Sequence, residues 1–113
     1  MLKTDLYIDG AWRAGAEGAR FDVLNPANED VIASVASAEI ADAEAALDAA
    51  DAAFGPWAAL KPRERSEILR KAWELMTARL DDFAHMITLE NGKAGADAKG
   101  EAAYAAEFFR WFA

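Results

Sequence analysis

Cysteine is absent from this sequence, and histidine occurs once in 113 residues. The missing cysteine excludes disulfides, thiolate metal ligands and a thiol nucleophile. The single histidine, His85, has no nucleophile or ligand cluster beside it, which is typical of an exposed helix residue. Ser34, Ser37 and Ser66 also lack a His or Lys arrangement that could activate them. We therefore expect no catalytic residue in this chain.

Positive charge and long apolar runs are scarce as well. The formal net charge is −8 and the 12 lysines and arginines are dispersed, which argues against binding to nucleic acid or anionic lipid. No apolar stretch approaches the roughly 18 to 20 residues that a membrane helix needs, and the N-terminus lacks the apolar core of a signal peptide. A cytoplasmic protein is the resulting expectation.

Patterns that bind phosphate or metal are missing too. Gly92, Gly95 and Gly100 do not form a G-x-G-x-x-G fingerprint after a strand, so we expect no cofactor-binding residue in this chain. Four carboxylates at helical spacing have no histidine beside them and predict a solvated helix face instead of a metal site. They are Asp42, Glu44, Asp48 and Asp51.

Residues 1–36 predict short β-strands. Asp9-Gly10 tolerates the positive φ angles of a type I′ turn, so the flanking segments 6–8 and 11–13 are predicted to form a β-hairpin. Segments 21–23 and 31–36 favour two further strands, because the first alternates, the second is rich in β-branched residues and a polar turn separates them.

Residues 37–113 have helical periodicity, which makes the segment α+β as a whole. The first helix is predicted from Ile40 to a stop at Gly55-Pro56. Its buried apolar stripe is predicted to consist of Ile40, Ala43, Leu47, Ala50 and Phe54. Alanine contributes little buried area, so the four tryptophans, six phenylalanines and aliphatic residues are expected to form one domain core.

Three more helices are predicted after Pro62, which suits the first turn of a helix. The second helix extends its buried stripe to Leu80. The third is capped by Asp81 or Asp82 and ends at Gly92, which accepts the left-handed C-cap conformation. The fourth, from about residue 96, carries aromatic residues on more than one face. A missing partner surface is therefore at least as plausible as an ordinary core helix.

The sequence resembles the N-terminal part of aldehyde dehydrogenases, collinearly from Leu6 to Ala113. The final segment is most similar to succinate-semialdehyde dehydrogenases, whose pattern reads "EAKGEv.YaasF..WFAeEa". The segments that carry the resemblance are Leu6–Trp12, Phe21–Ile32, Ala49–Phe54 with Trp57, Pro62–Arg65, Leu89–Lys93 and Ala98–Ala113.

This resemblance implies a longer α/β parent with a Rossmann-like NAD(P) domain, of which residues 1–113 would be the N-terminal part. A catalytic cysteine attacks the aldehyde in that family, and NAD or NADP accepts the hydride. The implied parent oxidises succinate semialdehyde to succinate and is a homodimer or homotetramer. The remainder of that chain and a small aldehyde are the implied partners, and the segment alone would be inactive.

The resemblance also implies two sites. Main-chain oxygens of Val23 and Leu24, with the carboxylate of Glu90, match a site for a monovalent cation; a plain helix end is the alternative for Glu90. Gly100, Tyr104 and Phe108 follow one helix face and match the wall of the aldehyde entry tunnel, with core packing as the alternative.

A second function stays open from the residues alone. A small acidic helical module could bind a partner protein through the aromatic surface of its last helix.

Overall fold

The computed structural model describes residues 3–113, in which four strands precede four helices. These residues form two compact units: unit 1 comprises residues up to Leu24 and Asp30–Ala59, and unit 2 comprises Asn25–Glu29 and Leu60–Ala113. The elements are β1 (Leu6–Ile8), β2 (Ala11–Arg13), β3 (Arg20–Leu24), β4 (Val31–Ala36), α1 (Ile40–Ala59), α2 (Pro62–Thr77), α3 (Leu80–Asn91) and α4 (Gly95–Trp111). The α+β composition agrees with the expectation from the sequence.

The first hairpin of unit 1 is the predicted one. Strands β1 and β2 pair antiparallel, and the turn between them has φ of 50° at Asp9 and 76° at Gly10. Two consecutive positive φ angles match the twist of a tight hairpin. Tyr7 lies opposite Trp12, with 5.0 Å between the ring centroids, so an aromatic pair adds to the ladder.

Strands β3 and β4 form a second two-stranded antiparallel sheet, which confirms the other strand prediction. The register shifts between Val23 and Leu24, and such a bulge leaves main-chain groups outside the regular ladder. The guanidinium of Arg20 donates to the carboxylate of Asp5 over 2.8 Å and to the carbonyl of Ser34 over 2.7 Å. Arg20 thereby ties the segment before β1 to β4.

Helix α1 is longer than the sequence predicts. It continues through Gly55 and Pro56 to Ala59, so the predicted stop at Gly55-Pro56 is wrong. A proline inside a helix removes one N–H donor, here the one that would reach the Ala52 carbonyl. Ala52 is exposed, and water can replace that donor, so the helix survives the interruption.

The faces of α1 are also the reverse of the prediction. Ile40, Leu47 and Phe54 are 79%, 70% and 69% exposed, whereas Asp42 is 2% exposed. The covered face begins at Asp42 and continues through the half-buried Ala45. The spacing of the apolar residues therefore predicted the wrong buried face of α1. An acidic residue can lie on the buried face when hydrogen-bond donors surround it.

Helices α2 and α3 begin and end through local hydrogen bonds. At the start of α2, the Lys61 N–H donates to the carboxylate of Glu64 over 2.9 Å, directly before Pro62. At the end of α3, Gly92 has φ 74° and its N–H donates to the carbonyl of Thr88 over 2.9 Å. The predicted glycine C-cap is confirmed.

Two predicted helix limits in unit 2 need correction. Leu80 begins α3 instead of extending α2, and Asp81 and Asp82 lie in the first turn of α3 with Arg79 as its N-cap. Carboxylates in the first turn interact favourably with the helix dipole without acting as caps. Acidic residues therefore predict a helix start nearby, and here the true N-cap precedes them by two or three residues.

The core of unit 2 is built from alanine. Helix α4 packs on α3 and α2, and its buried residues Ala98, Ala102 and Ala106 follow every fourth position. In the described residues every buried apolar side chain is an alanine, so the prediction of an aromatic and aliphatic core is wrong. Small side chains let helix backbones approach closely, but they bury little apolar area.

Candidate functional site

The predicted tunnel residues lie together on an open face of α4. Tyr104 and Phe108 are 68% and 48% exposed, and their rings meet edge to face with 5.0 Å between centroids. Gly100, one turn earlier, has no atom within 4 Å of the place where a Cβ would lie. This spacing of four residues gives one continuous surface with an open place at the glycine.

A groove of about 340 Å³ extends along this surface toward the end of α4. Its walls are apolar apart from one carboxylate, Glu107. The pKa of Glu107 is lowered, chiefly by the hydrogen bond from Arg110, so the carboxylate is charged at neutral pH. The groove is lined by Tyr104, Glu107, Phe108, Trp111 and Phe112.

A second cleft of about 420 Å³ also borders Tyr104 and is lined by residues of α2, α3 and α4. Glu90 and Glu101 lie at this cleft, and the carboxylate of Glu101 accepts from the Lys93 ammonium. Tyr104 therefore borders both hollows, and the cleft brings it together with Glu90. The lining residues are Met76, Phe83, Met86, Ile87, Glu90, Glu101, Ala102, Tyr104 and Ala105.

The residues of the predicted cation site lie in separate elements. Val23 and Leu24 flank the register shift between β3 and β4 in unit 1, where Ile32 of β4 is the unpaired residue, and Glu90 is an exposed residue of α3 in unit 2. Across residues 3–113, no group of three or more His, Asp or Glu side chains could hold a metal ion. The predicted site would use main-chain oxygens of Val23 and Leu24, which are not side-chain ligands. The cation site therefore stays a prediction.

The described residues do not fit the phosphates of a nicotinamide cofactor. A dinucleotide site needs a glycine-rich turn between a parallel strand and the start of a helix. The two sheets of residues 3–113 are antiparallel pairs, Gly95 begins α4 and Gly100 lies inside it.

Sequence reasoning missed a buried carboxylate in unit 1. Asp42 accepts hydrogen bonds from the backbone N–H groups of Ala16 and Glu39, over 2.9 and 3.0 Å, and from the Arg13 guanidinium over 3.0 Å. Its pKa is lowered chiefly by the Glu39 and Ala16 bonds, with a further contribution from Arg13.

A signal for Asp42 exists in the sequence, but it is incomplete. An acidic residue at position N3 of a helix often accepts a hydrogen bond from the N–H group of the N-cap residue. Asp42 accepts such a bond from Glu39. The Ser or Thr that completes such a box is missing, since the helix is preceded by Glu39. The arrangement holds the loop after β2 against the start of α1.

The model of the aldehyde dehydrogenase family matches residues 12–113. This chain belongs to the aldehyde dehydrogenase family. No helix among residues 3–113 has the length and apolarity to cross a membrane. The family match does not favour the alternative of a small interaction module.

Relatives in the aldehyde dehydrogenase family resemble the whole chain. It is 43% identical to the NADP-dependent succinate-semialdehyde dehydrogenase of Escherichia coli over all 113 residues, which are 23% of that protein. Identity is 42% to the glutarate-semialdehyde dehydrogenase of Pseudomonas aeruginosa over 99% of the chain and 23% of that protein.

The fold of these aldehyde dehydrogenases is shared as well. The crystal structure of an NADP-dependent enzyme from E. coli superposes with a TM-score of 0.93, at 43% identity, over 96% of this chain and 23% of that one. The chain thus spans about a quarter of the length of its relatives.

Proposed function

We propose that this chain is the N-terminal part of an NAD(P)-dependent aldehyde dehydrogenase that oxidises a small aldehyde with a carboxylate at its other end. Succinate semialdehyde, oxidised to succinate, is the proposed substrate. Similarity along the whole chain to a succinate-semialdehyde and a glutarate-semialdehyde dehydrogenase carries this proposal. Both substrates in those names have an aldehyde and a carboxylate on a short carbon chain.

The reacting groups would come from the rest of the enzyme. Oxidation of an aldehyde to an acid adds water and transfers a hydride, which requires a nucleophile and an acceptor. This chain has no cysteine, and the described residues do not fit the acceptor's phosphates. The proposed enzyme therefore acts only in its complete form, and the family resemblance implies that this form is a homodimer or homotetramer.

The contribution of this chain would be to border the path of the substrate. Gly100 leaves space beside the helix, and the rings of Tyr104 and Phe108 form an apolar wall next to it. Such a wall contacts the methylene groups of a short aldehyde and excludes water from them.

A monovalent cation is the second proposed ligand of the complete enzyme. The register shift between Val23 and Leu24 supports it, because the ladder is irregular at this point and β3 ends at Leu24, where the main chain leaves the sheet. Glu90 would supply a charged oxygen from an exposed position at the end of α3. Oxygen ligands of this kind suit hard cations.

A chimera tests the proposed function. The matched quarter of the E. coli succinate-semialdehyde dehydrogenase would be replaced by this chain, and the formation of NADPH would be followed with succinate semialdehyde. We expect turnover from the chimera, as from the unaltered E. coli enzyme, and none from the 113-residue chain alone. A chimera that folds and shows no turnover with this or any related semialdehyde would contradict the proposal.

A further inference from the structure

The end of α3 has an Asn-Gly sequence. The chain contains three asparagines, Asn25, Asn28 and Asn91, and the residues that follow them are proline, glutamate and glycine. Glycine has no side chain that hinders attack by its own main-chain nitrogen. Glutamate is bulkier at the same place, and proline has no N–H group to lose. Asn91, which is exposed and is the last residue of α3, is therefore the most reactive of the three toward cyclisation.

Cyclisation of Asn91 needs only hydroxide and water. The main-chain nitrogen of Gly92 loses its proton to hydroxide and bonds to Cγ of Asn91, while the Cγ–Nδ2 bond breaks and ammonia leaves. Water then opens the cyclic imide. Attack at Cγ gives aspartate, and attack at the main-chain carbonyl carbon gives isoaspartate, whose backbone contains an additional carbon atom. Each product carries a carboxylate where the chain had a neutral amide.

The folded end of α3 opposes this cyclisation. The helical backbone at Asn91 turns the nitrogen of Gly92 away from the asparagine side chain. The N–H group of Gly92 also donates to the carbonyl of Thr88 over 2.9 Å, so this nitrogen already has a partner. Pro26 restricts the same glycine, since a Cβ there would lie 3.0 Å from Cγ of the proline. The reaction therefore requires the end of α3 to open.

Contacts with α4 hold the end of α3 in place. Lys93, which directly follows the glycine cap, pairs its ammonium with the carboxylate of Glu101 in α4. The next residue of α4, Ala102, is 5% exposed and belongs to the helix that packs on α3 and α2. Opening of the α3 end therefore has to loosen the contact with α4 as well.

We propose that Asn91 is a site of spontaneous deamidation, and that the packing of α3 against α4 keeps its amide intact. Aspartate at this position places a second carboxylate beside Glu90 at the negative end of the helix dipole, which is unfavourable. Isoaspartate lengthens the backbone and moves the N–H group of Gly92 away from the carbonyl of Thr88. A converted chain therefore rebuilds the end of α3 poorly, and the modification accumulates in chains whose packing has loosened.

Incubation of the 113-residue chain in mildly alkaline buffer and in guanidinium chloride tests this proposal, with aspartate and isoaspartate followed at each asparagine by peptide mass spectrometry. In denaturant, Asn91 should convert at least about tenfold faster than Asn28, because the following residue then sets the rate. In buffer, Asn91 should convert at least about threefold more slowly than in denaturant, because the reaction requires local opening. Equal rates at Asn91 and Asn28 in denaturant would overturn the site. Equal rates at Asn91 in both solutions would overturn its protection by the fold.

Two neighbouring residues of α4 provide a matched pair of variants. Ala102→Asp puts a carboxylate at a buried position of the helix, which costs free energy and loosens the packing of α4. Ala103→Asp adds the same group at an exposed position. In buffer, Asn91 should convert at least about twofold faster in the Ala102 variant than in the Ala103 variant, because its α3 end opens more often. In denaturant the two rates should be equal. Equal rates in buffer would overturn the role of α4.

Discussion

Arg13 and Asp42 form an ion pair between β2 and α1, in which Nη2 of the arginine donates to Oδ1 of the aspartate over 3.0 Å. The aspartate side chain is 2% exposed and the arginine side chain 43% exposed. The other carboxylate oxygen accepts from Ala16 and Glu39. Asp42 therefore joins β2 and the loop after it to the start of α1, and its charge is balanced by one side-chain donor and two backbone donors.

Asp42→Asn should lower the melting temperature of the chimera by a few degrees at neutral pH. The amide would present an N–H donor where the carboxylate now accepts, which leaves buried donors without an acceptor. Asp48→Asn, at an exposed position of the same helix, is the control. Equal melting temperatures for the Asp42 variant and the control would contradict this role of Asp42.

The same variant has a predicted pH dependence. The folded-state pKa of Asp42 is lowered from the ordinary value of 3.8, so its stabilising contribution is complete above the unfolded-state pKa. The contribution is lost as the pH falls through the folded-state pKa. The difference in melting temperature between wild type and Asp42→Asn should thus be constant near neutrality and shrink below about pH 4. A difference that vanishes already near neutrality would contradict this assignment.

Gly15→Ala should be strongly destabilising. A Cβ at Gly15 would lie 2.1 Å from the carbonyl oxygen of Ser37, a backbone atom that cannot move aside without distorting the loop that meets α1. Gly55→Ala is the control, because it meets no atom within 4 Å, and alanine in a helix is favoured by about 0.5 to 1 kcal/mol. Thermal melts of both chimeras should therefore shift in opposite directions.

Glu90→Gln should weaken the stabilisation of the chimera by potassium or sodium. Loss of a ligand matters only where the ion can bind, so the melting temperature should fall more in these salts than in a bulky organic cation at equal ionic strength. Glu74→Gln is a control carboxylate in α2, where it pairs with Arg70. The same loss in every salt would assign Glu90 to an ordinary helix end.

Tyr104→Ala should alter KM or the preference among aldehydes more than it alters stability. The ring borders both hollows of α4, so its removal would change the wall of the proposed substrate path. A buried aromatic would instead cost about 3 to 5 kcal/mol on truncation to alanine. Phe109→Ala, which lines a different hollow beside Leu69, is the control. An unchanged substrate profile with a large loss of stability would favour core packing.

The isolated 113-residue chain should form helices without tight tertiary packing. Its buried apolar side chains, within the described residues, are all alanines, and its large apolar side chains are widely exposed. Apolar area at about 25 cal/mol per Å² then drives nonspecific association. We expect a helical circular dichroism spectrum, binding of a hydrophobic dye and self-association that weakens on dilution. A monomer with a sharp melt and no dye binding would contradict this.

Local signals allowed much of the secondary structure to be predicted. Asp9-Gly10 specified the first hairpin, Pro62 the start of α2 and Gly92 the end of α3, because each of these residues restricts the backbone through its own φ angle or missing donor. The predicted end of α1 at Pro56 and the predicted extension of α2 to Leu80 were wrong. Hydrogen bonds made by neighbouring residues decide whether a helix continues or ends at such a position.

The placement of the candidate residues on α4 could be predicted in part, and their role stays a prediction. Four-residue spacing was enough to place Gly100, Tyr104 and Phe108 on one face of α4. That Tyr104 also borders the cleft at Glu90 could not be predicted, since it depends on how α3 packs against α4.

The sequence by itself determined the order of elements, the family and the absence of a thiol, since these follow from local residue patterns and collinear segments. Only the tertiary structure decided which sides of the helices are covered. The alternative sides of α1 differ little in local propensity, and the bonds from Arg13, Ala16 and Glu39 to Asp42 select one of them. That selection turns Ile40, Leu47 and Phe54 outward, because a helix that buries one face must expose the opposite one.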